Sequence, residues 1–382
     1  MLSDLVMKKL IAICLVLFGF SLVALGQSGR KITATPTPTP KPVEEGFSES
    51  KPSATKRIFP NLRGGDTRLP QMQTQTQTQQ TESVSDSEDE VIKVETSLIT
   101  IPVSVFDRNG VYISGLKQEN FKIFEDGKEQ EIGYFGKSDT PFTVVLLLDT
   151  SISAEKILPE IKEAARNFVD KLKPQDQVIV IEFDGDVEVL SEATNNRQEL
   201  YRAINRANIG NGTSIYDAVD FSLRKRLQQI QGRKAIVLLT DGVDTLSRKS
   251  SYNKSIREAE ESDVLIFPIH YNTFNDTINN PQTMVGATRQ QIANEYALGR
   301  QYLKDLADNT GGTVFKAAAT ADGLNEAFEG IAEELRSQYQ IGYYPTEAGK
   351  AQQRKQIRVR VNRPNVIVKA RDSYIVGATA TK

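Results

Sequence analysis

Four short apolar runs, separated by helical patterns, constrain the fold of this chain more than any other feature. The runs are Thr143–Leu148, Val178–Ile181, Ala235–Leu239 and Val264–Phe267. Their apolar residues are continuous rather than alternating, which indicates that both faces of the sheet are covered. Strands that alternate with helices in this way are typical of parallel sheets. We therefore predict an α/β fold, with a doubly wound and mostly parallel sheet, over residues 139–337.

The segments between and after these runs show helical patterns. These patterns are Ile157–Lys171, Arg197–Ala207, Ser214–Ile230, Tyr252–Ser262, Gly299–Asn309 and Gly323–Arg336. Each of the first three connections between apolar runs contains at least one of them, as the helices of a doubly wound sheet require.

β-rich segments flank the α/β domain on both sides. Near the C-terminus, Ile357, Val359 and Val361 alternate with polar residues, as in a half-buried strand. Before the domain, Phe121–Phe124 and Glu131–Tyr134 are predicted to pair around a turn containing Asp126-Gly127. These strands are too few for two sandwiches. We predict one small β-sandwich, assembled from residues 91–138 and residues 338–376.

The N-terminal residues 1–26 are predicted to be a secretory signal. Met7-Lys8-Lys9 precedes the uncharged stretch Leu10–Leu25, and Ala24-Leu25-Gly26 supplies small residues for cleavage before Gln27. The stretch is short for a membrane span, which needs about 20 apolar residues, so we expect no stable transmembrane span after cleavage. The alternative is an uncleaved membrane anchor. The prediction places the chain in the periplasm, at the cell surface or in the medium.

Residues 27–90 have a composition unlike that of a folded domain. Thr35–Pro42 reads TPTPTPKP, residues 71–80 read QMQTQTQTQQ, and residues 83–90 are acidic and serine-rich. Few of these side chains could be buried, so nothing would offset the entropy lost on ordering them. We predict a disordered Pro/Thr/Gln-rich tether.

Charge and composition exclude several classes of function. The chain has 47 basic and 49 acidic residues, a net charge of -2, whereas nucleic-acid binding requires an excess of Lys and Arg. A single Cys and a single His exclude an intramolecular disulfide, a Cys/His zinc site and a two-histidine metal centre. Oxygen ligands must therefore carry any metal chemistry.

Carboxylates and hydroxyls cluster after the strands of the predicted sheet. Asp149, Ser151 and Ser153 follow the first strand, Asp241 follows the strand Ala235–Leu239, and Thr213 opens a helix. In the 3-2-1-4-5-6 strand order these two strands are neighbours at the switch point, where ligands collect. Such hard oxygen donors suit Mg²⁺, Mn²⁺ or Ca²⁺ rather than zinc or copper. Five donors do not enclose the ion, which leaves a position for a carboxylate from a partner.

These motifs resemble the metal-ion-dependent adhesion site of the von Willebrand factor A domain, which reads DxSxS, then Thr, then TDG. The resemblance covers about Phe142 to Arg336. It implies a divalent cation, Mg²⁺ first, held directly by three hydroxyls, and two carboxylates that act mostly through water. It also implies a protein partner whose Glu or Asp completes the coordination. The five matching positions are Asp149, Ser151, Ser153, Thr213 and Asp241.

The flanking segments extend the resemblance to an exported bacterial group, called VWFA-related, known from Acidobacteria. Asn120–Gly127 reads NFKIFEDG and Tyr339–Pro345 reads YQIGYYP. One departure is Ala154, which stands where many relatives have Met after the last serine of DxSxS. This departure does not affect the five site positions.

Other residues near the same sheet edge are candidates for a rim that contacts the partner. They are Asp184, Asp186, Asp244, His270 and Asn275. Asp-Gly is first of all a turn, and His270 could simply be packed, so each also has a structural interpretation. The connection from Tyr271 to Glu295 is long compared with the usual ~2–6 residues. We expect it to contribute to the rim, and the alternative is an insertion without function.

Three functions remain open from the sequence. The first is a cation-dependent protein-interaction or adhesion module, which is not an enzyme, displayed outside the cytoplasm. The second is a Mg²⁺-dependent hydrolase or phosphoryl-transfer enzyme, although the sequence shows no P-loop and no general base beside Ser151. The third is a structural scaffold of the envelope, in which the ion only stabilises the domain.

Overall fold

The computed structural model describes residues 46–51, 98–137, 140–279, 287–347 and 349–377. All of them fall within the compact unit Glu45–Lys382. The predicted signal and most of the predicted tether lie outside the described residues. Within the described ranges, no helix combines the length and apolarity needed to cross a bilayer.

The described part of the chain contains fifteen strands and seven α-helices. The strands are β1 Ser48–Glu49, β2 Ile99–Phe106, β3 Phe121–Glu125, β4 Lys128–Gln130, β5 Ile132–Lys137, β6 Phe142–Asp149, β7 Gln177–Phe183, β8 Val187–Thr194, β9 Arg233–Thr240, β10 Val264–His270, β11 Phe315–Lys316, β12 Tyr339–Tyr343, β13 Arg354–Val361, β14 Ile367–Lys369 and β15 Ser373–Ile375. The helices are α1 Leu158–Lys171, α2 Arg197–Arg206, α3 Ile215–Phe221, α4 Tyr252–Glu261, α5 Phe274–Asn279, α6 Arg289–Thr310 and α7 Ala321–Ser337. Short 3₁₀ turns cover Gln118–Asn120 and Ile152–Ile157, and a π-helical turn, Ser222–Leu227, continues α3.

The central sheet has the order β11-β10-β9-β6-β7-β8. Read from the other edge, this is the 3-2-1-4-5-6 order, so the predicted doubly wound α/β fold is confirmed. Strands β6, β7, β9, β10 and β11 are parallel, whereas β8 runs antiparallel to β7 at the edge. The sequence pattern missed β8 because only part of it is buried, so it lacks a continuous apolar run.

Helices cover both faces of this sheet, which explains the continuous apolar runs. Every residue of β6 is buried. Val144 and Leu146 lie in one apolar cluster with residues of α1 and α7, such as Phe168 and Phe328. Val145 lies in a second cluster, with residues of α3 and α6. Because neighbouring side chains of a strand point to opposite faces, both layers require apolar residues at every position.

The flanking strands form two antiparallel sheets that share one apolar core. One sheet has the order β1-β13-β3-β4, with β15 also paired to β13, and the other has the order β14-β2-β12-β5. Their core includes Val103, Ile123, Ile341 and Val359, which come from both sides of the α/β domain. The prediction of one small sandwich built from the two flanks is confirmed.

Two details of the flanks differ from the sequence predictions. Residues 46–51 fall in the predicted disordered tether, but Ser48–Glu49 pairs with β13 and the amide of Ser50 donates to the carbonyl of Val359. The tether prediction is therefore wrong for this short segment. The predicted pairing of Glu131–Tyr134 with Phe121–Phe124 is also wrong, because β3 pairs with β4 and the chain then crosses to the other sheet, where β5 pairs with β12.

The long connection after β10 contains structure that the apolar pattern did not predict. The helix α5 lies within it, and α6 begins at Arg289 rather than at the predicted Gly299. The Thr288 side chain caps α6 by accepting from the Gln291 amide, and the Gln291 side chain accepts in turn from the Thr288 amide. The first turns of α6 are mostly exposed, which explains why they lack a strong apolar signal.

A buried polar joint ties the sandwich to the α/β domain. The Arg371 guanidinium donates to the carbonyl oxygen of Glu260, at 2.6 Å, and to that of Ser373. The Ser373 hydroxyl donates to the Glu260 carboxylate at 2.9 Å, and Arg354 pairs with the same carboxylate at 2.6 Å. Because Glu260 belongs to α4, the two parts are linked by charge-assisted bonds as well as by the chain.

Candidate metal centre

The five predicted ligand residues lie at the end of the central sheet that is formed by the carboxyl ends of its parallel strands. Strands β6 and β9 are adjacent and parallel, with Leu148 paired to Leu239, so Asp149, the last residue of β6, and Asp241, the first residue after β9, lie at neighbouring strand ends. The loop after Asp149 carries Ser151 and then enters a 3₁₀ turn. This edge, at the carboxyl ends of the strands, is where ligands bind in open α/β sheets.

The carboxylate of Asp149 is fully buried and held by hydrogen bonds at both oxygens. Its Oδ1 accepts from the Ser151 amide at 3.0 Å, and its Oδ2 accepts from the Thr240 hydroxyl at 2.6 Å. The hydroxyls of Ser151 and Ser153 lie 3.0 Å apart. The first loop therefore presents one carboxylate and two hydroxyls in a compact group. The donor role of Thr240 was missed, although it directly precedes Asp241 in the sequence.

The carboxylate of Asp241 is also buried and is held by residues of the long connection. Its Oδ2 accepts from the Thr273 hydroxyl at 2.5 Å and from the Tyr296 hydroxyl at 3.3 Å. The Tyr296 and Thr273 hydroxyls are 2.7 Å apart, and the Val243 amide donates to Oδ1. Sequence reasoning did not identify Thr273 or Tyr296, because no local motif links them to a residue so distant along the chain.

Two buried carboxylates of the same charge make this site electrostatically unfavourable by itself. Burial, and next the charge of Asp241, raise the pKa of Asp149 well above its usual range, although hydrogen bonds from Ser151 and Thr240 oppose the shift. A cation placed between the carboxylates would relieve both the burial penalty and the repulsion. The charge arrangement thus fits a divalent cation.

The donor set fits a hard cation that retains water. Among the described residues, nowhere do three or more His, Cys, Asp or Glu side chains gather as they would in a closed metal cage. A cation at this edge would depend on two carboxylates, on hydroxyls and on water. Magnesium is the ion that most often keeps several waters when bound by few carboxylates.

The third loop brings Thr213 to the same edge. The Gly210 amide donates to the carbonyl oxygen of Thr150 at 2.9 Å, which ties this loop to the loop after β6. The Thr213 carbonyl accepts from the amides of Thr245 and Leu246, and its own amide donates to the Thr245 hydroxyl at 2.8 Å. Three separate loops are therefore fastened together around the site.

Asp184 supports the Thr213 loop from the neighbouring strand end. Its Oδ2 accepts from the Asn211 amide at 3.1 Å, and its Oδ1 accepts from the Asp186 amide at 2.8 Å. The carboxylate lies where a side chain at position 210 would be, because a Cβ on Gly210 would come within 1.4 Å of Oδ2. A side chain at position 210 would therefore have to displace the Asp184 carboxylate from these hydrogen bonds.

Because of this packing, we expect Gly210→Ala to weaken Mg²⁺ binding. The added methyl group must displace the Asp184 carboxylate and loosen the loop, so Mg²⁺ affinity should fall by about tenfold, as for other groups that support ligands. Isothermal titration calorimetry with MgCl₂ measures the change. Asn211→Ala is the matched control, because it removes an exposed side chain of the same loop and keeps the amide bonded to Asp184. Equal Mg²⁺ affinities for Gly210→Ala and wild type would contradict this role of the loop.

The five rim candidates have different positions. Asp244 accepts from the Ser247 hydroxyl and from the Tyr216 amide at the start of α3, so it organises a loop. Asp186 and Asn275 are exposed, and Asp184 is committed to the Thr213 loop. His270 is almost fully buried, and this burial lowers the pKa of its imidazole. Contact of these residues with a partner stays a prediction.

Comparisons with known proteins agree with the fold of this region. Residues 143–329 match the family model of the von Willebrand factor type A domain. A UPF0353 protein of Mycolicibacterium gilvum is 26% identical over 219 residues, which cover 52% of this chain and 60% of that relative. The chain thus spans less than two thirds of the length of this curated relative.

Among the solved structures that are similar to this chain, two serve as examples, both at low sequence identity. One is the vWF domain of the type V pili tip protein Mfa5 from Porphyromonas gingivalis, which is 16% identical with a TM-score of 0.40 and covers 51% of this chain and 95% of that chain. The other is proximal thread matrix protein 1 from the mussel byssus, solved with a zinc-occupied MIDAS motif. It is 16% identical with a TM-score of 0.41 and covers 55% of this chain and 49% of that chain.

Proposed function

We propose that this chain is a cation-dependent interaction module, because residues 143–329 match the family model of the von Willebrand factor type A domain, a family that often mediates adhesion and protein interaction. One observation carries the proposal: two buried carboxylates, Asp149 and Asp241, lie at the carboxyl ends of adjacent strands, where a backbone hydrogen bond joins the loop of Ser151 and Ser153 to the loop of Thr213. The module would bind a divalent cation and use it to hold a protein partner.

The five proposed ligand residues form two groups, the hydroxyls and the carboxylates, which would hold the cation in different ways. The hydroxyls of Ser151, Ser153 and Thr213 would hold the cation directly, and Asp149 and Asp241 would act mostly through water. This division is supported by the hydrogen bonds that both carboxylates already accept from neighbouring hydroxyls and amides. When bound, the cation would supply a positive centre for an oxygen ligand from outside the chain.

The partner is proposed to be a protein that offers a Glu or Asp side chain. Only two carboxylates oppose the charge of the cation, so a third carboxylate from the partner would be attracted rather than repelled. Mg²⁺ is the proposed ion, and Mn²⁺ or Ca²⁺ would meet the same oxygen donors. The exposed Asp186 and Asn275, near this edge, are proposed to contact the surrounding surface of the partner.

The place of action is proposed to be outside the cytoplasm. This part of the proposal rests on the N-terminal sequence, where a basic segment precedes the uncharged stretch Leu10–Leu25 and small residues follow. Cleavage of the predicted signal would remove Cys14, the single cysteine of the chain. The exported module would then not depend on disulfides, which agrees with the large apolar core of the described domain.

Substitution of Thr213 tests the proposed function. With the full mature chain immobilised, proteins from the envelope fraction of the source organism should be captured in Mg²⁺ and released in EDTA. Thr213→Ala should abolish the Mg²⁺-dependent capture and change the free energy of unfolding in EDTA by less than about 1 kcal/mol. Thr213→Ser, which keeps the hydroxyl, is the matched control and should capture the same proteins. Identical capture by wild type in Mg²⁺ and in EDTA would refute the proposal.

A further inference from the structure

Tyr271 lies immediately beyond β10, beside the candidate metal centre. The preceding residue, His270, pairs with Thr240 across the sheet, and the Tyr271 amide lies 3.4 Å from the Thr240 carbonyl oxygen. Asp241, the first residue after β9, is one of the two site carboxylates.

The side chain of Tyr271 is fully buried, and its ring belongs to the apolar cluster that also contains Leu148 and Ile269. Its hydroxyl has no hydrogen-bond partner among the described residues. An unsatisfied buried hydroxyl costs about 1–3 kcal/mol, so it calls for an explanation. Phenylalanine would fill the same space without this cost.

The hydroxyl lies in the electrostatic field of both site carboxylates. Burial, followed by the charges of Asp149 and then Asp241, raises the pKa of Tyr271 well above its usual value. Thr240 and Thr273, in contrast, donate directly to the carboxylate oxygens. The carboxylates are thus satisfied by other hydroxyls, and the Tyr271 hydroxyl is a further buried oxygen that their charges reach.

We propose that the Tyr271 hydroxyl is a further component of the cation site and binds a water molecule of the hydrated cation. Water bound to a divalent cation is a strong hydrogen-bond donor, and a phenol oxygen can accept from it. The inference rests on the proposed function, because it assumes that a cation binds between Asp149 and Asp241. It adds Tyr271 to the residues that determine which cation binds.

Recognition through water has a consequence for cation selectivity. Mg²⁺ gives up its waters reluctantly and usually keeps several, whereas Ca²⁺ takes more ligands directly from protein oxygens. A residue that binds the water shell therefore favours Mg²⁺ over Ca²⁺. Tyr271 is in this sense a specificity-determining residue.

Tyr271→Phe tests the proposal, because it removes only the hydroxyl. Titration calorimetry with MgCl₂ and with CaCl₂ should show Mg²⁺ affinity reduced by about five- to tenfold and Ca²⁺ affinity by less than about twofold. In EDTA the melting temperature should be unchanged or higher, because no hydrogen bond to the protein is lost. Unchanged Mg²⁺ affinity would overturn the proposal. So would a lower melting temperature in EDTA together with equal losses for both cations, since the hydroxyl would then serve the fold alone.

Two further variants separate the possible failures. Tyr302→Phe is the matched control, because Tyr302 is equally buried but its hydroxyl lies 3.0 Å from the Ser255 hydroxyl in the other apolar layer. It should lower the melting temperature and leave both cation affinities unchanged. Asp149→Asn reports on the site itself. If wild type binds no Mg²⁺, the proposed function fails, whereas Mg²⁺ binding that depends on Asp149 but not on Tyr271 refutes only this inference.

Discussion

Asp149→Asn should reduce Mg²⁺ affinity by at least about 100-fold and, at the same time, make the cation-free protein more stable. The variant removes a buried charge that faces Asp241 and keeps Oδ1, which accepts from the Ser151 amide. The Asn amide nitrogen replaces Oδ2 and can donate to the Thr240 hydroxyl oxygen in place of accepting from it. In EDTA, relief of this repulsion should raise the free energy of unfolding by about 1 kcal/mol. Titration calorimetry measures the first effect, and thermal denaturation in EDTA measures the second.

The opposite signs of these two effects distinguish a site built for a cation from a structural carboxylate. Asp186→Asn is the matched control, because Asp186 is exposed in the turn between β7 and β8. Its loss should leave both Mg²⁺ affinity and stability unchanged within about 0.5 kcal/mol. If Asp149→Asn instead destabilised the protein in EDTA, the carboxylate would be needed for the fold without a cation, and the charge argument would be wrong.

Glu125→Ala should have the largest effect on stability, with a loss of about 3–5 kcal/mol. The buried Glu125 carboxylate accepts from the hydroxyls of Tyr343, at 2.7 Å, and Tyr374, at 2.8 Å, and lies 3.5 Å from the Lys355 ammonium. Alanine leaves these buried polar groups with fewer partners and creates a cavity. Urea denaturation followed by circular dichroism measures the loss.

The position of Glu125 in the sandwich explains the expected size of this effect. Its partners come from β12, β13 and β15, which all follow the α/β domain in the sequence. Because β12 belongs to one sheet and β13 and β15 to the other, this one carboxylate connects both sheets of the sandwich. Glu129→Ala is the matched control in the same hairpin, because Glu129 forms an exposed pair with Lys122 at 3.4 Å. Exposed pairs contribute about 0–1 kcal/mol. Similar losses for the two variants would show that the buried network does not hold the sandwich together.

The central sheet could be read from the sequence because its signal is local. Each buried strand, such as Thr143–Leu148, carries its own apolar run, and burial on both faces needs no knowledge of the neighbouring strands. Asp149, Ser151 and Ser153 also form a local pattern, because they lie within five consecutive residues. Asp241 is local in the same sense, because it directly follows its strand. Half-exposed elements such as β8 and α5 have weaker local signals, so they were not predicted.

The sequence by itself predicted the fold class, the adjacency of the two strands that precede Asp149 and Asp241, and the five oxygen donors proposed for the cation. Only the tertiary structure decided which groups orient and surround those donors: Thr273 and Tyr296 on Asp241, Asp184 beneath Gly210, and the hydroxyl of Tyr271. The physical reason is that apolar periodicity is a property of one segment. A hydrogen bond between distant segments depends instead on how the chain closes its loops, and that geometry leaves no pattern in either segment alone.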